Sequence, residues 1–128
     1  MPIRCEVNPE RRFKTVEFRD VVTEQEFSEY SASLSPAEMQ TYDVVFVDLS
    51  AMSDCEFGYE RVVPHARHVA AGNLRDTPVR EVIWAPSDIA FGVARMYQSL
   101  VDEDAQVSLF RDEAEARSTV ADLLGVSV

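Results

Sequence analysis

Apolar and polar residues alternate with a period of two from Ile3 to Val7: Ile3, Cys5 and Val7 fall on one face, Arg4 and Glu6 on the other. That period predicts a strand with one solvated face. Asn8-Pro9-Glu10-Arg11 is a turn signal. Residues 13–18 return as a second strand, with Val16 and Phe18 inward and Thr15, Glu17 and Arg19 outward. The two strands predict an antiparallel hairpin. Phe13 is out of phase with Val16, which points to a bulge or a late strand start.

At Thr23 the period changes. Thr23-Glu24-Gln25-Glu26 has the form of a capping box, and Phe27, Tyr30 and Leu34 then recur at helical spacing. Pro36 ends or kinks this helix, with one further turn over 36–39. Val44-Val45-Phe46-Val47 is an unbroken β-branched and aromatic run, the pattern of a central parallel strand buried on both faces. Residues 49–57 read as a polar loop. A helix follows over 59–71, starting near Pro64 or kinked there and stopped by Gly72-Asn73, with a loop over 74–78. Residues 79–84 form the next strand, and Ser87 opens a helix reaching about Leu100. An acidic connection at 101–104 leads to a last strand over 106–110. Asp112 caps a final helix, Glu115 stands at capping-box spacing, and Gly125 is a C′ residue. The order β-β-α-β-α-β-α-β-α predicts an α/β fold in one domain, residues 1–128. Its sheet is mixed, mostly parallel and five-stranded, with about four helices.

Length and charge narrow the class. A chain of 128 residues is sized for one domain, and 46% hydrophobic residues argue against disorder. The net charge of −11 repels phosphate backbones and anionic headgroups, so neither nucleic acid nor a membrane surface is expected as a partner. No apolar run is long enough for a membrane span. With two cysteines and no secretory signal after Met1, the expectation is a cytoplasmic protein with reduced thiols.

Trp84-Ala85-Pro86-Ser87-Asp88, the helix carrying Gly92 and Ala94-Arg95-Met96-Tyr97, and the strand Val107-Ser108-Leu109-Phe110-Arg111-Asp112 that leads into a helix together resemble the carboxy-terminal half of SpoIIAA-like proteins. These have the STAS fold of anti-sigma-factor antagonists. The motif match covers about residues 82–117, and element order matches over nearly the whole chain. The resemblance implies a STAS-like α/β sandwich and a regulatory or protein-binding module that is not an enzyme. It also admits a carrier of lipid or another small apolar molecule, as in CRAL-TRIO-like relatives. The antagonists keep a phosphoacceptor serine in an Asp-Ser-Ser-Gly-like motif after the central strand; here Glu56-Phe57-Gly58 stands in that place, and Ser53 precedes it.

Ligands of open α/β sheets bind beyond the carboxyl ends of the strands. The segments 48–57 and 85–88 meet there and supply the candidate partner- or ligand-binding residues Asp48, Ser50, Ser53, Asp54, Ser87 and Asp88. Ser87 and Asp88 are equally suited to capping a helix and complementing its dipole. No catalytic set is visible; a hydrolase built on these serines and acids is a third reading. No cofactor or metal is expected: His65 and His68 share a helix face but lack a supporting cluster, and read as surface histidines. Cys55 precedes a helix without an orienting third group. Cys5 reads as a small core hydrophobe. Gly92, mid-helix, implies close packing, Arg95 a surface ion pair, and Trp84 a cover for the pocket edge. The partners expected are a protein or a second copy of the chain, with a small apolar ligand as the alternative.

Overall fold

The computed structural model describes residues 2–73, 77–101 and 107–125. Five strands form one sheet in the order of the chain: β1 (Ile3–Asn8), β2 (Phe13–Thr23), β3 (Val44–Glu56), β4 (Arg80–Trp84) and β5 (Val107–Phe110). β1 runs antiparallel to β2, and the remaining pairs are parallel. Helices α1 (Glu24–Ser33), α2 (Pro36–Met39), α3 (Tyr59–Gly72) and α4 (Asp88–Leu100) connect the parallel strands, and α5 (Glu113–Leu124) follows β5. The element order is the expected one, with α2 as a separate single turn. The strand residue expected at 106, the loop over 74–76 and the acidic connection over 102–104 lie outside the described residues.

The doubly buried run behaves as its pattern dictates. Val45, Val47 and Leu49 enter the large core with Phe27, Met39, Val62, Ala66, Ala94 and other residues of α1–α4. Phe46 points the other way and packs with Val82 and Ala116 of α5. Four helices therefore cover one face of the sheet and α5 covers the other. Phe13 needs no bulge: β2 begins there, and its ring packs on the α5 side.

Local signals set the helix ends. Thr23 makes the reciprocal capping box with Glu26. Ser87 Oγ accepts from Ala90 N at 3.1 Å, Asp112 accepts from Glu115 N at 2.9 Å, and Gly125 ends α5 in the left-handed region at φ 69°. The helix α3 starts at Tyr59 and runs through Pro64, so it does not begin late at the proline. No helix among the described residues is long and apolar enough to cross a membrane.

Three expectations are corrected. Residues 49–56 are not a loop: β3 continues to Glu56, paired with β2 as far as Thr23↔Glu56. Register shifts near Arg19 and Asp20 interrupt the period of two, and Asp20 takes φ 55°, which Asp tolerates better than most residues. Cys5 is exposed, because β1 is an edge strand that no helix fully covers. Gly92 is exposed, and a Cβ built there meets nothing within 4 Å, so no close packing explains it.

Gly92→Ala is accordingly expected to stabilise the fold by about 1 kcal/mol, since alanine gains helix propensity without a clash. Urea denaturation of the two proteins reads this directly; an unchanged or lowered midpoint would contradict it.

Candidate functional site

The parallel strands end unevenly. β4 stops opposite Asp48 (Asp48↔Trp84), while β2 and β3 continue together past it as a two-stranded arm. The arm and the first turns of α3 and α4 make up the carboxyl end of the sheet. Of the exposed large hydrophobic residues, Val21 (42% exposed), Tyr59 (58%) and Ile89 (47%) all lie at this end. Exposed acids stand near them: Asp20, Glu60 and Asp88 are chain neighbours, Asp54 is the cross-strand partner of Val21, and Glu56 lies three residues before Tyr59.

The predicted site residues fall into two groups. Asp48 Oδ1 accepts from Ser50 N at 2.9 Å and from Ser50 Oγ at 2.6 Å, so these two side chains are in contact. Asp48 also lines an open trough of about 600 Å³ on the α5 side, with Arg4, Glu6, Thr15, Glu17 and Arg117 among its neighbours. Ser53 and Asp54 are exposed on the arm, and Asp54 accepts from Cys55 N at 2.8 Å. Ser87 is occupied as the N-cap of α4. Asp88 pairs with Arg111 at 3.0 Å, and that guanidinium lies 4.2 Å from the centre of the Phe91 ring. Among the described residues no hydrogen bond joins the Asp48–Ser50 pair to Ser87 or Asp88. Glu56-Phe57-Gly58 is the strand-to-helix turn: Phe57 is buried and stacks on Phe27 at 4.2 Å, and Gly58 is the N-cap of α3 without a side-chain cap. Trp84 donates to Arg111 O at 3.1 Å and packs on the α5 side.

A second polar constellation lies inside the protein, under α1–α4. Lys14, Val45 and Glu81 are successive cross-strand neighbours on β2, β3 and β4, so a lysine and a glutamate flank one valine on the covered face. Lys14 is 2% exposed, and its Nζ reaches Glu38 Oε1 at 2.7 Å. Glu38 Oε2 accepts from Tyr42 OH at 2.7 Å, and Lys14 Nζ lies 5.0 Å from the centre of the Tyr42 ring. Glu81 Oε1 accepts from Tyr97 OH at 2.7 Å. His65 is buried rather than on the surface: its Nδ1 lies 2.9 Å from Ser31 Oγ, amid the rings of Phe27, Tyr30 and Tyr97. His68 contacts Leu34 O at 2.6 Å. Two small cavities, about 50 and 30 Å³, adjoin this seam, and Tyr30, His65 and Glu81 line both.

Burial governs the charges here. Desolvation pushes the Glu81 carboxyl up to about 7, against the opposing pull of Tyr97 and Lys14. Desolvation, with His68 adding to it, lowers His65 to about 4, so its imidazole is neutral at neutral pH. Partial desolvation also raises both thiols, the exposed Cys5 and the half-buried Cys55, and Asp54 adds to the rise at Cys55. Cys55 sits in β3, not in a loop, and its thiol is not activated as a nucleophile. No cluster of three or more metal-ligating side chains occurs among the described residues.

The sequence signals for the interior seam were weak but present. Lys14 falls on the inward phase set by Val16 and Phe18, and Glu81 on that of Ile83. Strict alternation places both inside; a charged residue at such a position is easily assigned to solvent instead.

The architecture defines the class: a SpoIIAA-like, STAS α/β fold. Among solved structures, the anti-sigma factor antagonist SpoIIAA in its unphosphorylated form superposes with a TM-score of 0.62 at 13% identity, covering 97% of this chain and 99% of that one. The Bacillus cell fate determinant SpoIIAA in its phosphorylated form gives 0.57 at 17% identity, over 92% and 98% of the two chains. An uncharacterised DUF3478-family protein with a SpoIIAA-like fold from Shewanella loihica PV-4 gives 0.58 at 11% identity, over 91% and 90%. No family model and no curated protein sequence matches the chain.

Two outcomes follow from the interior seam. Glu38→Ala strands the buried Lys14 ammonium and is expected to cost about 3 kcal/mol in urea denaturation; a loss below about 1 kcal/mol would show that the pair is not held inside. Glu81 binds its proton more tightly folded than unfolded, so its contribution to stability falls as pH rises from 4.5 to about 7. The stability of Glu81→Gln relative to wild type is therefore expected to rise across that window, by at most about 1.4 kcal/mol per pH unit. A flat difference would place Glu81 in solvent. His65 acts in the opposite sense, its neutral folded form favouring stability as pH rises from about 4 to 6.5.

Proposed function

We propose that this chain is a non-enzymatic regulatory module that binds a protein partner in the cytoplasm through the carboxyl end of its sheet. The observation that carries this is that Val21, Tyr59 and Ile89, three exposed apolar residues, all stand on elements at that end, with exposed acids near each. Exposed apolar side chains ringed by polar ones mark protein contact surfaces. Ser50, Ser53, Asp54 and Asp88 supply the polar rim, Asp48 orders Ser50, and Ser87 fixes the start of α4. The acids, with a net charge of −11, favour a basic partner surface. The fold it shares with anti-sigma factor antagonists supports the same reading. The turn that carries the switch serine in the antagonists holds Glu56-Phe57-Gly58 here, with Phe57 committed to the core, so binding is not gated by phosphorylation at that turn. The apolar cavities under α1–α4, about 50 and 30 Å³, are far smaller than the several hundred Å³ of a typical ligand pocket, which weighs against a lipid held between sheet and helices.

The test is a triple variant, Val21→Ser, Tyr59→Ser and Ile89→Ser, purified as a tagged chain from its own cells beside wild type. A protein recovered with wild type and reduced at least tenfold with the variant is expected. Equal recovery with both would remove the carboxyl end as the docking site. Intact-mass measurement of the same wild-type sample would show a phosphate if Ser50 or Ser53 carries one.

A further inference from the structure

The sheet ends in β5 on one side and in β1 on the other, and the sequence of β1 is self-complementary. We infer that β1 pairs antiparallel with β1 of a second copy, about a two-fold axis at Cys5, so that two sheets join into one.

The backbone parity allows it. Arg19 N donates to Pro2 O at 2.6 Å, and Glu6 O accepts from Thr15 Oγ1, so the even-numbered residues of β1 turn their main-chain groups towards β2. In an antiparallel pair the alternate residues turn theirs away. The N–H and C=O of Ile3, Cys5 and Val7 therefore face outward on the open edge. Pairing centred on Cys5 sets Ile3 opposite Val7 of the second copy and Cys5 opposite its own counterpart. Every outward N–H and C=O of these residues then meets a partner, on both copies. Any register shifted by one residue would set outward groups against groups already bonded to β2.

The side chains agree with the backbone. On the α5 side, Arg4 falls opposite Glu6 of the second copy, and Glu6 opposite Arg4, giving a symmetric pair of opposite charges. On the helix side, Ile3 meets Val7, which is 37% exposed in the single chain. The smallest side chain of the strand, Cys5, sits on the axis, where it meets itself. Edge strands are commonly guarded by a proline, a bulge or charged side chains; the charges of β1, Arg4 and Glu6, are complementary to those of a second copy in this register. β1 has an unbroken register with β2 and no proline between Ile3 and Asn8. The surface is distinct from the carboxyl end, so a monomeric result here would leave the proposed partner site untouched.

Light scattering and sedimentation of the purified chain at high micromolar concentration are expected to give twice the chain mass. Cys5→Pro removes an outward N–H without touching the bonds to β2, and is expected to give a folded monomer by circular dichroism. Arg4→Glu is expected to weaken dimerisation about tenfold, and the swap Arg4→Glu with Glu6→Arg to restore it. A monomeric wild type would overturn the inference. So would a dimer indifferent to the charge reversal, a readout that does not depend on how the proline variant folds.

Discussion

Strand β3 must bury both of its faces, and the architecture answers to that. Val45, Val47 and Leu49 demand cover on one side, Phe46 on the other. A strand so placed cannot be an edge, so β2 and β4 flank it in parallel, and parallel neighbours require crossover helices. With the strands added in chain order, successive right-handed crossovers lay α1, α3 and α4 on one face. Only the last helix, with no further strand to reach, is free to close the other. α5 does so through Ala116, which is fully buried against Phe46 and Val82.

The thick helical layer has a cost, which falls on its polar residues. Lys14 and Glu81 project into it from strands on either side of β3, and neither can keep bulk hydration there. Lys14 is compensated by Glu38 from α2, and Tyr42 completes the carboxylate's second oxygen. That contact gives the single turn of α2 a reason to exist: too short to be stable alone, it places Glu38 over the ammonium. Glu81 accepts from the Tyr97 hydroxyl, which offsets only part of its desolvation, and burial pushes its carboxyl up to about 7. The seam thus ties three parts of the fold together: the sheet, α2 and α4.

What the sequence revealed depended on how local each signal was. The caps at Thr23, Ser87 and Asp112 each lie within a few residues of their partners, and the structure reproduces all three. The central strand was legible because double burial needs only a run of apolar residues. The arm was not. Its pairing depends on register shifts and on Asp20 in the left-handed region, and its exposed serines and acids look like a loop. His65 was illegible for a different reason: its burial comes from Phe27 and Tyr30 of α1 and Tyr97 of α4, both distant in sequence. Gly92 showed the converse error. A costly residue invited a packing explanation, and its surroundings are open.

Finding strands where a loop was expected alters what the carboxyl end can do. A mobile loop over residues 49–57 could fold around a small ligand and enclose it. A two-stranded arm held in register by its own ladder cannot close in that way; it presents a preformed, largely solvated surface. Fixed surfaces lose little conformational freedom on association, and their apolar contacts are correspondingly more effective. Such a surface suits an extended contact with another macromolecule, not envelopment of a small one. The stacking of Phe57 on Phe27 works in the same direction, because it commits to the core the strand-to-helix turn that immediately precedes Tyr59.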